Sequence, residues 1–180
     1  MTKSRDSTPA RLELDSLTAA VVTVAWVVVM NKPFYPFYVW WFVGGGFPAT
    51  LTTLIGTPFY AAVPFLARRA PFAARVALPV IGTLDSMLAT KVFGRGSGTE
   101  LFLFACAALA ALSFRSDEAW PSRGLTAMIF LGFVAVHDFA GGALHDLPPE
   151  QLRRLLELNI FSAAALVAFI GLRFAGVART

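Results

Sequence analysis

The stretch HDFAGGALHDLPPEQLRRLLELN, residues 137–159, decides how the chain folds. Apolar runs long enough to cross a bilayer flank it on both sides. Yet it holds both histidines of the protein, several carboxylates, an Arg-Arg pair and a Pro-Pro corner. A polar stretch between two apolar runs reads as the turn between the last two membrane helices. It is also where groups able to bind something specific are densest.

Composition agrees with that placement. Of the 180 residues 57% are hydrophobic and 14% charged, whereas a soluble domain carries about a quarter charged residues. The excess of Lys and Arg, 15 against 11 acids, would point to nucleic acid in a soluble chain. Here the basic residues sit in short gaps between apolar runs, so they report topology, and no nucleic acid partner is expected. Cys106 is the one cysteine and lies in an apolar run, which excludes an intramolecular disulfide or a Cys-based metal knuckle. The polar N-terminus is followed by no small-residue cleavage pattern, so the first apolar run is expected to stay in the mature protein.

Working outward from residues 137–159, the predicted fold is all-α: a polytopic membrane protein of six transmembrane helices with both termini cytoplasmic. The spans fall at 15–31, 47–67, 76–93, 100–114, 124–144 and 155–177. A cytoplasmic tail, 1–14, precedes them and a short cytoplasmic end, 178–180, follows. The aromatic run 34–43 reads as an interfacial segment with Tyr35, Tyr38, Trp40 and Trp41 as anchors, because such rings sit among acyl chains while their polar atoms stay wet. The alternative, that this run prolongs the first helix past Pro33 and Pro36, is equally compatible with the residues. Gly56, Pro58 and Pro64 predict a kinked second span. Ala107 and Ala111 stand one small-xxx-small step apart in the fourth, predicting a tightly packed central helix. On this topology ten basic residues lie on the terminal side and five on the other, which places the termini in the cytoplasm and residues 137–159 outside. The expected location is the bacterial cytoplasmic (inner) membrane.

Asp85, with Thr83, Ser86 and Thr90 nearby, lies near the middle of the third span. A carboxylate at that depth costs about 2.5–3.5 kcal/mol on insertion scales, so it is expected to be protonated or to face a partner inside the bundle. Lys91, six residues on, projects from another face and is not a simple helical partner. His137–Asp138 and His145–Asp146 repeat a dipeptide across two glycines. If they converge, they form, with Glu100, Glu157 and Asp85, a candidate outward site for a divalent metal or a small cationic ligand. Arg153 and Arg154 are candidates for a lipid headgroup or anion, or for pairing with Glu157 along the helix. Asn159 is suited to an interhelical hydrogen bond. No HExxH, Ser-His-Asp spacing or Gly-rich phosphate loop occurs, so no catalytic residue is assigned and no cofactor is indicated.

The tryptophan-bearing first span, VPFLARRAP closing the second, VFGRGSGTELFLFACAALAALSFR joining the third to the fourth, and LPPEQLRRLLELN opening the sixth resemble the six-helix membrane domain of bacterial class III adenylate cyclases. The resemblance covers residues from about 17 to 177. It implies a membrane receptor or regulatory anchor, dimeric, whose last helix passes into a cytosolic output domain. The sequence to Thr180 has no cyclase aspartates and no nucleotide site, so only the membrane half of that function carries over. Three functions follow as expectations: a non-catalytic sensor module with an outward ligand or ion site, an accessory subunit of a larger membrane complex, or a small transporter using Asp85 and His137. Membrane lipid and either a second copy or a partner membrane subunit are the expected partners.

Overall fold

The computed structural model describes residues 14–139 and 141–177. The tail with Lys3, Arg5 and Arg11, and residues 178–180 with Arg179, lie outside the described residues. All the regular elements of the described part are helical, and none is a strand. Five helices are long and apolar enough to cross a membrane: α1 Ser16–Val43, α2 Phe47–Arg69, α3 Pro71–Phe93, α5 Ser116–Asp138 and α6 Pro149–Val177. Between α3 and α5 lies α4, Thr99–Leu112, apolar but shorter.

The aromatic run belongs to α1. Pro33 and Pro36 withdraw two backbone donors, and the helix absorbs this by tightening to a 3₁₀ turn at Lys32–Phe34 and widening to a π turn at Val39–Val43. It stops at Gly44, whose φ of 81° is left-handed. α2 likewise carries a 3₁₀ stretch, Leu51–Gly56. α3 begins at Pro71 rather than 76, because proline fits the first turn, where its missing N–H has no partner to lose. α6 begins at Pro149, where Pro148-Pro149-Glu150 signals a helical turn ahead of the span at 155–177. α5 is displaced toward the N-terminus of the span expected for it, ending in a π turn at Ala135–Phe139.

α4 runs antiparallel to α3 from end to end. Its first residue, Thr99, donates to Thr90 near the C-terminus of α3 at 3.1 Å. Just beyond its last turn, the Ser113 carbonyl accepts from Arg75, near the N-terminus of α3, at 3.1 Å. The close packing expected of α4 is present but on another face. Ala105, Cys106, Leu109 and Ala110 are buried, whereas Ala111 is exposed. Gly82 of α3 is what admits Cys106: a Cβ at residue 82 would stand 2.7 Å from its Sγ.

The two ends of the bundle differ. At one end, Ala67 of α2 and Ala74 of α3 share a core cluster with Ala20, Val21, Ile170 and Phe174. The start of α1 and the end of α6 therefore meet there. Arg75 is buried at this end and holds Glu118 with two bonds of 2.6 and 2.8 Å. Its guanidinium lies 5.7 Å from the rings of both Phe72 and Phe114. At the other end gather the described residues of 137–159. There the backbone N–H groups of Leu144 and His145 donate to the Lys91 and Val92 carbonyls at 3.0 and 2.9 Å, satisfying acceptors that the end of α3 leaves open.

Candidate functional site

Between α1, α2, α3, α4 and α6 lies a cavity of about 470 Å³. Its body is apolar, lined by Val24, Val28, Leu78, Leu109, Leu166 and Phe169. Its polar part is made by Lys32, Asp85, Tyr60 and Tyr35. Lys32 reaches it from the end of the Ser16–Asn31 α-helical segment, where its backbone N–H donates to the Val28 carbonyl.

Asp85 is paired across the bundle with Lys32. The ammonium stands 2.6 Å from Asp85 Oδ2, and the two side chains keep only 11% and 16% of their exposure. Tyr60 donates its hydroxyl proton to the same oxygen at 3.2 Å, and Lys32 lies 5.2 Å from the centre of the Tyr60 ring. Each charge thus has a counter-charge, and the cation a ring face besides. Asp85 Oδ1 is buried with no hydrogen-bond partner. It rests against Gly56, where any Cβ would collide with it. The glycine in the 3₁₀ stretch of α2 is therefore what lets the carboxylate sit beside α1.

A second chain of contacts leads from the cavity to α6. Tyr35 donates from its hydroxyl to Asn159 Oδ1 at 3.1 Å, and Asn159 Nδ2 donates to the Ser97 carbonyl at 2.8 Å. Asn159 is fully buried. Thr99 and Ser86, which also line the cavity, are joined through Thr90: Thr99 Oγ1 donates to Thr90 Oγ1, which donates to the Ser86 carbonyl at 2.8 Å. The last helix is thus tied to the first helix and to the 94–98 turn by one amide.

The other candidate residues do not form a centre. His137 and Asp138 are exposed on the π turn of α5. The His137 ring stacks on Phe133 at 5.5 Å, and its carbonyl accepts from Arg95. His145 is half-buried and Asp146 exposed. Glu100 is half-buried, within electrostatic range of His137 and Arg95, with Oε2 buried and unpartnered. Among the described residues no three His, Cys, Asp or Glu side chains come together to hold a metal ion. The Arg-Arg pair is satisfied along its own helix: Arg153 binds Glu150 at 3.0 Å and Glu157 at 2.5 Å, and Arg154 binds Glu150 at 3.0 Å, all exposed. Of the aromatic anchors, Trp40 and Trp41 are exposed at 56% and 77% and Tyr38 at 41%, whereas Tyr35 turns inward to Asn159.

Lys32, Tyr60 and Ser97 were not singled out by sequence reasoning. A signal for Lys32 was present: the chain has three lysines, and Lys32 alone lies between an apolar run and an aromatic one. An acid in mid-span asks for a base of that kind.

No curated protein matches the chain. A family model, that of MASE7, matches residues 11–176 and so takes in all six helices save the last residue of α6. With an apolar bundle enclosing a polar-headed cavity, and a match over nearly its whole length, the chain belongs to the MASE7 family of membrane-associated sensor domains.

Proposed function

We propose that this chain is a non-catalytic sensor module of the bacterial cytoplasmic membrane, in which the central cavity receives the stimulus and α6 carries the response. The observation behind the reading is Tyr35, whose side chain lines the cavity and whose hydroxyl holds Asn159 of α6. An occupant that turns Tyr35 changes that bond and biases α6 between two positions against α1. Such differential contact with two states is what a ligand needs in order to act as a signal. In this reading the site lies within the bundle, not in the outward His-Asp constellation.

Six passes with both termini cytoplasmic accord with α4 running the length of α3, with the start of α1 meeting the end of α6, and with the excess of basic residues on that side. From the resemblance to cyclase membrane domains we infer that α6 leads toward a cytosolic output domain. Exposed rings along α1, Trp26, Phe34, Phe37, Trp40 and Trp41, face lipid or the matching helix of a second copy or partner subunit.

The test is a distance measurement in lipid nanodiscs. Spin labels at Arg68 and Ala175, exposed on α2 and α6, are placed in a Cys106→Ala background. Tyr35→Phe and Asn159→Leu are each expected to shift the distance distribution in the same direction. Unchanged distributions in both variants would show that α6 is not held through this bond.

A further inference from the structure

The polar part of the central cavity is charge-balanced, and that balance selects what enters. Lys32 and Asp85 compensate each other at 2.6 Å. Six of the seven hydroxyls that line the cavity, all but that of Tyr38, have already given their protons away. Tyr60 donates to Asp85, Tyr35 to Asn159, Thr53 to the Thr50 carbonyl, Ser86 to the Gly82 carbonyl, Thr99 to Thr90 and Ser162 to the Leu158 carbonyl. Each oxygen keeps lone-pair capacity, and Lys32 keeps ammonium protons beyond the one given to Asp85.

A carboxylate or phosphate head would bring a second negative charge beside Asp85, and an ammonium head a second positive charge beside Lys32. Either leaves a net charge in a low-dielectric site, which is costly. A hydroxyl head gives one proton to an acceptor-rich lining and takes one from Lys32, with no net charge. The remainder of the cavity is apolar, and its 470 Å³ falls in the range of about 300–1,000 Å³ usual for small-molecule sites. Tyr38 and Ala165 line it and are also exposed, so it opens on the apolar outer face of the bundle.

We propose that the cavity takes an uncharged amphiphile, a hydroxyl head on an alkyl body, entering sideways from the bilayer. This rests on the reading of the cavity as the sensory site. The same chemistry is offered by a free long-chain alcohol and by a lipid whose head is glycerol.

The experiment follows thermal unfolding of the full chain in nanodiscs of saturated phosphatidylcholine, with 1-decanol, 1-monooctanoylglycerol, decanoate, decyltrimethylammonium and decane titrated at matched membrane mole fractions. Decanol or monooctanoylglycerol is expected to raise the unfolding midpoint and to bind roughly tenfold tighter than decane, the worth of one well-made hydrogen bond in a dry site. Whichever of the two binds tighter identifies the source as free alcohol or lipid. Ala165→Trp, which adds bulk at an exposed lining position, should abolish the shift. Lys32→Met with Asp85→Leu, which removes both charges together, should bind decanol no better than decane. A stronger shift with decanoate or decyltrimethylammonium overturns the neutral head while leaving the cavity as the sensory site. Equal shifts with decane and decanol show that no head is read, and overturn the proposal too. If no probe distinguishes the parent chain from Ala165→Trp, the proposal and the sensory cavity both fall.

Discussion

Among the described residues, two largely buried ion pairs join helices of this bundle, and they differ in what lies beside them. Arg75 and Glu118 are joined by two bonds, and the guanidinium also holds the Ser113 carbonyl and lies against two phenylalanine rings. Lys32 and Asp85 share one short contact beside a cavity, with one carboxylate oxygen lacking a partner. The first closes the corner between α3, α4 and α5 against aromatic rings, with Arg75 Nε buried and unpartnered. The second has the same elementary chemistry at the edge of a cavity. Burial of charge alone therefore separates neither a clamp from a site; what the neighbours leave unfilled does.

The comparison can be broken most sharply at the clamp. Glu118→Leu leaves Arg75 buried without its counter-charge and is expected to destabilise the fold by about 3 kcal/mol, the low end for a broken buried pair because Glu118 is partly exposed. Denaturant unfolding in detergent measures it, and a loss below about 1 kcal/mol would remove the contrast. Next come Lys32→Met and Asp85→Leu, each expected to cost about 2–3 kcal/mol alone but less when combined, since the double change leaves no orphaned charge. A double-mutant cycle on the same transition reads the coupling, and simple additivity would mean the pair contributes nothing as a pair. Gly56→Ala sets a methyl against Asp85 Oδ1 and should cost about 1–3 kcal/mol by overpacking. It should also weaken the Lys32→Met effect, because the pair is already displaced. Asn159→Ala removes the bonds to Tyr35 and Ser97 and is expected to cost about 0.6–1.7 kcal/mol, as interhelical hydrogen bonds in membranes do. Arg153→Ala, on the exposed face of α6, should leave the unfolding transition where it is.

Much of the fold can be read from the residues because the bilayer allows few structures. A chain of apolar runs separated by short charged gaps has only helices available to it. The boundaries were harder for a reason particular to proline. Pro33 and Pro36 read as a helix end, yet inside a bundle a 3₁₀ turn and a π turn take up the missing donors and the helix goes on. Lys32 closes the last α-helical turn before Pro33, its backbone N–H donating to the Val28 carbonyl, and from there it meets Asp85. The polar residues of 137–159 misled in the opposite sense. Clustering along the sequence is not clustering in space, and the histidines lie on an exposed π turn and on a loop that caps α3. Asn159 was legible as a residue for an interhelical hydrogen bond, but its partners, Tyr35 and Ser97, lie 124 and 62 residues away, a separation that no local pattern encodes.

The pairing of Lys32 with Asp85 also bears on how the chain is made. The two residues are 53 positions apart, so α1 leaves the ribosome well before α3. Each charge taken singly opposes entry into the bilayer by about 2.5–3.5 kcal/mol. α1 therefore gains from waiting beside the insertion machinery until α3 arrives, and the first three helices enter the lipid most readily as one assembled unit.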